Sequence, residues 1–168
     1  MTYEESKLKF IQGWGSLGSN WGINRTMAQI HALLLISPKS LSTEDVMEEL
    51  KISRGNVNMN MRDLINWGLV RKDLKPGERK EFFYAEKDMW KAAMQIIKER
   101  RKRELEPLMQ VMSELKTLDK TDKSEEAKEF TKTIENIEDV IGKADGALDK
   151  LSRAQDNWLL GGLMKLVK

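Results

Sequence analysis

The chain has no cysteine and a single histidine in 168 residues. The missing thiols exclude structural disulfides, thiolate zinc sites and oxidant sensing through sulfur chemistry of that kind, although the ten methionines can be oxidised incidentally. The lone histidine, His31, sits on a helical stretch with no acid or serine partner near it in sequence. It reads as a packing residue, because a metal site needs several ligands. No glycine-rich loop follows a strand-like run, and paired acids such as Glu48-Glu49 and Glu125-Glu126 read as solvated helix charge. Catalysis, a cofactor and a bound metal are therefore not expected. No apolar run approaches the length that spans a bilayer. The start, Met1-Thr2-Tyr3-Glu4-Glu5, lacks a basic stretch followed by an apolar one, so no secretory signal is expected and the expected location is the cytoplasm. One regulatory domain, or a small domain with an extension for self-association, fits the length.

What the chain does have is a compact pattern between Leu41 and Glu86. Ser42-Thr43-Glu44-Asp45 opens a short helix, with hydroxyls at the N-cap and acids in the first turn, and Val46, Met47 and Leu50 supply its apolar face. After Lys51-Ile52-Ser53 a second helix runs from Arg54 to Ile65, and Gly68 ends it. Leu69 to Lys72 and Glu81 to Ala85 are strand-like runs on either side of the turn Lys75-Pro76-Gly77-Glu78. This is the order of a helix-turn-helix followed by a two-stranded wing, a module that mainly serves to touch DNA.

The second helix carries the chemistry. Val57, Met61 and Leu64 recur at i, i+4 and i+7 and form its buried stripe, with Ile65 at the flank. The rest holds Gly55 and three asparagines, Asn56, Asn58 and Asn60, all poor helix formers, where a solvated face would normally carry Glu and Lys. Asn and Arg make bidentate contacts with adenine and guanine edges in the major groove. Gly55, Asn56, Asn58, Met59 and Arg62 are the expected base-facing residues, with Arg54 beside them. Met59 suits a thymine methyl, Arg62 a guanine or a phosphate, and Ser53 with the helix N-terminus a phosphate. From Lys51 to Lys80 there are eight bases and three acids, against a net charge of only +2 for the chain. Arg71, Lys72, Lys75, Arg79 and Lys80 are accordingly assigned to the DNA backbone or minor groove through the wing. A near-neutral total argues against a purely electrostatic binder.

The flanks read as helical. Glu4 to Trp14 is expected as a first helix, broken into a loop by Gly13, Gly15, Gly18 and Gly22. Asn24 caps a second, from about Arg25 to Ile36, that stops before Pro38. Asp88 caps a long helix to about Leu118, which Pro107 should kink or interrupt near residues 103–107. Its basic block, Lys98 to Arg103, reads as a solvated face or an extra phosphate contact. A further helix over residues 124–151 places Ala127, Phe130, Ile134, Ile137, Ile141, Ala144, Leu148 and Leu151 at alternating spacings of four and three, a coiled-coil-like seam. From Leu105 onward 13 acids face 10 bases, so this region is a packing surface rather than a DNA surface. Phe130, Ile134, Ile137, Ile141, Leu148 and Leu151 are the expected dimerisation residues. The apolar terminal segment adds Trp158, Leu159 and Leu163, read as interface rather than membrane anchor. The seam is open to a helix of the same chain, a symmetry mate, or both. The expected fold is thus mainly α with a small β-wing (α+β): a winged helix-turn-helix domain over residues 1–87 and a helical dimerisation region over residues 88–168.

Trp21-Gly22-Ile23-Asn24-Arg25, Leu41 to Val46, Ile52 to Asn58, Leu64 to Val70 and Lys75 to Arg79 together resemble the winged-helix domain of MarR-type bacterial regulators, and within them the GbsR branch, named for a choline-responsive repressor. The resemblance covers roughly Trp21 to Tyr84. It implies a homodimer on pseudo-palindromic double-stranded operator DNA, acting as a repressor and released by a small effector. A quaternary amine is the effector that the branch suggests, and Trp14, Trp21, Trp67, Trp90 and Trp158 are the rings available for an aromatic cage. The same rings equally suit core and interface anchors. The competing reading is a winged-helix module that binds protein without reading DNA.

Overall fold

A computed structural model describes the backbone of residues 1–115 and 124–166 and the side chains of residues 1–115 and 124–151. The expected helix end near Leu118 and the side chains of Trp158, Leu159 and Leu163 lie outside the described residues. The chain divides into two compact units, Met1–Ile96 and Ile97–Lys168.

The first unit starts with α1 (Tyr3–Asn20), whose capping box pairs the Thr2 hydroxyl with the Glu5 N–H and the Glu5 carboxylate with the Thr2 N–H. This helix corrects the sequence reading: it does not stop at Trp14 but runs straight through Gly13, Gly15 and Gly18. Two of these glycines are there for contact. A Cβ on Gly18 would sit 2.6 Å from the Cβ of Ala28, and one on Gly15 would sit 2.7 Å from Cγ of Gln29. Both neighbours lie on α2 (Arg25–Ile36), so the missing side chains are what let the two helices close on each other.

Asn24 caps α2 as expected, its Oδ1 accepting from the N–H groups of Thr26 and Met27. The helix ends at Ile36, before Pro38, and Ile30 and Leu34 lie at the centre of the core. Its last carbonyls meet an ammonium from far along the chain. Nζ of Lys87 donates to the carbonyls of Leu34, Leu35 and Ser37 at 2.8, 2.6 and 2.8 Å. Replacing Lys87 by methionine leaves these carbonyls to water and is expected to cost about 1–2 kcal/mol, read by urea denaturation. A change below a few tenths of a kcal/mol would show that the clamp contributes nothing.

A strand of two residues, β1 (Leu41–Ser42), was missed in the sequence because two residues carry no alternation to read. It leads into α3 (Thr43–Leu50). Ser42 caps this helix, and Asp45 closes a capping box on it, Oδ2 accepting from the Ser42 N–H at 2.7 Å. Lys51 ends α3 in the left-handed region at φ 54°, which turns the chain into α4 (Arg54–Asn66). Ser53 caps α4, and Gly68, at φ 71°, carries the chain away with its N–H on the carbonyl of Ile65.

The wing is β2 (Val70–Asp73) and β3 (Phe82–Ala85), antiparallel with Val70 opposite Ala85 and Lys72 opposite Phe83. β3 also pairs with β1, Leu41 opposite Phe83, so the sheet has three strands in the order β1-β3-β2. Val57, Met61 and Leu64 of α4 are buried as their spacing predicts, together with Val46, Leu69, Val70 and Phe83. Asp88 caps α5 (Met89–Arg100), its Oδ1 accepting from the Lys91 N–H, and Ala92 and Ile96 join this core.

In the second unit the expected kink is a π-helical segment, Arg101–Leu105, followed by α6 (Glu106–Leu115). Pro107 has no N–H for the carbonyl of Arg103, and the Glu106 N–H reaches back five residues to the carbonyl of Arg101. α7 (Glu125–Leu166) extends well past the expected end near Leu151, through Gly161-Gly162. Arg101 grips Asp145 of α7 through two hydrogen bonds of 2.5 and 3.0 Å. That cation holds the Asp145 carboxyl below the usual carboxylate range. Along the predicted seam Ile141 is buried and Ile134 and Leu148 are half-buried, while Phe130, Ile137 and Leu151 are exposed. The seam is thus partly satisfied within the chain and partly open.

Candidate nucleic-acid interface

One side of α4 is committed to the core, which fixes what the other side presents. With Val57, Met61 and Leu64 inward, Gly55, Met59 and Arg62 stand at i, i+4 and i+7 along the outer face, and all three are exposed. Met59 keeps 54% of its surface in water. Asn56 and Asn58 flank this row, half-buried. Asn60 departs from the reading of three outward asparagines: it is buried, and its Nδ2 donates to the main-chain carbonyl and Oδ1 of Asn56 at 2.8 and 2.7 Å. The amide is too near the core stripe to reach solvent, and it orients Asn56 instead.

Gly55 has no local reason to be glycine. Its backbone is helical, and a Cβ there would meet nothing within 4 Å. Such a residue costs roughly 1 kcal/mol against alanine in a helix. The position is open toward whatever approaches α4 from outside.

The wing supplies cations beside this face. A groove of about 280 Å³ runs between α4 and the wing, lined by Asn58, Met61, Arg62, Ile65, Lys72, Glu81 and Phe83. It brings Arg62 and Lys72, two of the predicted contacts, to one place. Lys75 lies over the Phe82 ring, its Nζ 3.8 Å from the centroid, and Arg79 and Lys80 stand exposed in the wing loop. Ser53 is occupied as the N-cap of α4, its Oγ accepting from the Asn56 N–H at 3.3 Å.

Sequence reasoning missed the carboxylates. Glu44 of α3 accepts from Arg54 at 2.6 Å, Glu81 pairs with Lys72, and Glu86 lies 3.9 Å from Arg71 and 2.6 Å from Lys91. Hydrogen bonding from Arg54 lowers the Glu44 carboxyl, and that from Lys91 lowers Glu86. Among the described residues Arg62 has no such carboxylate partner. Charge counting along the sequence finds the cations but cannot say which of them a folded neighbour already holds.

Three antiparallel strands against a helix-turn-helix, with the second helix outermost, define a winged helix-turn-helix fold. A scan against protein-family models finds no match, and a search of curated proteins finds no relative. Among solved structures, the chain is similar to one described as a transcriptional regulator, at a TM-score of 0.67 and 18% identity over 90% of this chain and 99% of the other. It is also similar to a MepR variant from S. aureus bound to an oligodeoxyribonucleotide, at 12% identity over 82% of this chain and 99% of the other. The TM-score of that second likeness is 0.42, too loose to define a fold. At 18% identity the first likeness shows a shared fold alone. No helix among the described residues is long and apolar enough to cross a membrane.

Proposed function

We propose that this chain is a sequence-specific DNA-binding transcriptional regulator of the MarR-like type, in or near the GbsR branch, and that it works in the cytoplasm as a homodimeric repressor. The observation that carries this reading is the outer face of α4: Gly55, Met59 and Arg62 exposed in one row, beside a wing rich in Lys and Arg. Asn56, Asn58, Met59 and Arg62 meet base edges, while Ser53, Arg54, Arg71, Lys72, Lys75, Arg79 and Lys80 meet the backbone. Two such faces, one per protomer, fit successive major grooves of a pseudo-palindromic operator. Phe130, Ile134, Ile137 and Leu151 of α7 offer the apolar surface for the second copy, with Trp158, Leu159 and Leu163 assigned to it from sequence. A small effector, with quaternary amines as the first class to try, releases the operator.

Selection of genomic fragments by the purified protein identifies the operator. Arg62→Ala is then expected to weaken binding to it by about 10- to 100-fold with no loss of stability. Unchanged affinity at fixed salt removes Arg62 from the interface. Gly55→Ala is a sharper probe, because its two effects have opposite sign. It should raise stability by about 0.5–1 kcal/mol and weaken the complex, since the added methyl stands where the duplex approaches. A variant that is both more stable and equally tight would show that nothing packs on Gly55.

The carboxylates at Glu44, Glu81 and Glu86 favour a second reading, a winged-helix module that binds a protein partner. The two separate on salt. A DNA reader loses affinity for random duplex steeply as salt rises, because displaced counterions are released, whereas a protein-binding module shows no duplex binding to lose.

A further inference from the structure

Asn60 is 1% exposed, on a helix whose other buried residues, Val57, Met61 and Leu64, are all apolar. A leucine of similar size would fill the same space without an amide to desolvate. Both contacts of its Nδ2 go to one residue a turn back, the main-chain carbonyl and the Oδ1 of Asn56. A carbonyl oxygen only accepts, so it fixes which end of the Asn60 amide points that way. With that end a donor, Asn56 must turn its own oxygen toward it, because the flipped amide would set N–H against N–H. Polarity passes from a main-chain carbonyl through Asn60 to Asn56. The Nδ2 of Asn56 is left on the other side, and among the described residues it donates to nothing. Its N–H, on Oγ of Ser53, holds the same residue from the helix start.

We propose that Asn60 is a positioning residue of the DNA surface, holding Asn56 in the orientation that presents a donor, so that Asn56 reads an acceptor edge. This rests on the DNA-binding reading above and deepens it. An unconstrained asparagine can grip adenine through both side-chain atoms, or flip to accept from the cytosine amino group. Asn56 can do neither while its Oδ1 is held, and a flip would leave a buried N–H of Asn60 without a partner. Guanine O6 or N7 and thymine O4 take the donor as it stands. The bond between the two asparagines is therefore kept on an acceptor edge and broken only on a donor edge. Its loss falls on the wrong base alone, which is what discrimination requires.

Base preference along the selected genomic fragment tests this. Every base pair is substituted in turn, and the position at which Asn56→Ala flattens the preference marks the Asn56 contact. Wild-type protein should bind cytosine there about 5- to 10-fold more weakly than the favoured acceptor base, the equivalent of one hydrogen bond. Asn60→Leu should shrink that penalty to less than about 2-fold and raise adenine relative to guanine and thymine, leaving preferences at other positions as they were. In an Asn56→Ala background the same substitution should change no base preference. Asn60→Ala is the second variant, expected to give the same profile where leucine disturbs the core, and thermal melts check that each variant is folded. A role in folding alone would shift affinity equally for all four bases, and that result overturns the proposal. A wild-type preference for cytosine at the contact overturns it too, as does a cytosine penalty that survives the loss of Asn60 or an Asn56→Ala profile that matches wild type. Wild-type protein that binds no duplex overturns the DNA-binding reading itself, a different result from base preferences that ignore Asn60.

Discussion

Replacing Gly18 by valine is expected to destabilise the protein by about 3 kcal/mol. The first added carbon alone would stand 2.6 Å from the Cβ of Ala28, a separation that bonded neighbours aside does not occur. Ala28 is buried on α2, so there is no flexible chain end to swing away. Either α1 lifts from α2, uncovering Ile11 and the flank of Trp14, or α2 moves and disturbs Ile30 and Leu34 at the centre of the core. Gly13 on the same helix is the internal control. A side chain there meets nothing within 4 Å, and Gly13→Ala should stabilise by about 0.5–1 kcal/mol through helix propensity alone. Urea denaturation of the two variants therefore gives shifts of opposite sign. A Gly18→Val protein within about 1 kcal/mol of wild type would mean that the helices do not close as described.

Acid is expected to remove about 3 kcal/mol of stability through a single side chain. His31 is buried on α2 beside Trp14, ring centroids 6.2 Å apart, and its Nε2 meets no hydrogen-bond partner among the described residues. Burial, and after it the positive charge of Lys87, pushes its pKa down to about 4. In the unfolded chain the same imidazole titrates near 6.5. Between those values the unfolded state holds a proton that the native state refuses, so stability falls as pH drops from about 6.5 and the loss is complete below about 4. His31→Leu should flatten this part of the stability profile. The carboxylates lowered by their partners, Asp45, Glu86 and Asp145, add their own loss at still lower pH, and this persists in the variant. A wild-type profile that is level between pH 6.5 and 4.5 would show that the native ring takes up its proton without cost.

Much of the winged helix-turn-helix was legible in the chain because its signals are local. Ser42, Asn24 and Asp88 act as caps within a turn of themselves, and the Val57–Met61–Leu64 spacing needs only helix geometry to place one face inward. What misled was any residue whose reason lies on another element. Gly15 and Gly18 look like helix breakers until α2 is seen against them. β1 exists only because β3 runs next to it. The candidate site divides in the same way. Its cations could be counted, but their partners at Glu44, Glu81 and Glu86 depend on how α3, the wing strands and the start of α5 are placed. Pro107 announced a disturbance, and the chain meets it with a π-helical segment just before the proline.

Ser42 does two jobs at one position. It pairs with Phe82 in the sheet, and its hydroxyl caps the helix that precedes α4. One residue is therefore riveted at once to the wing and to the helix-turn-helix, so neither can swing without dragging the other. Anything that shifts the wing must therefore shift the start of the helix-turn-helix with it.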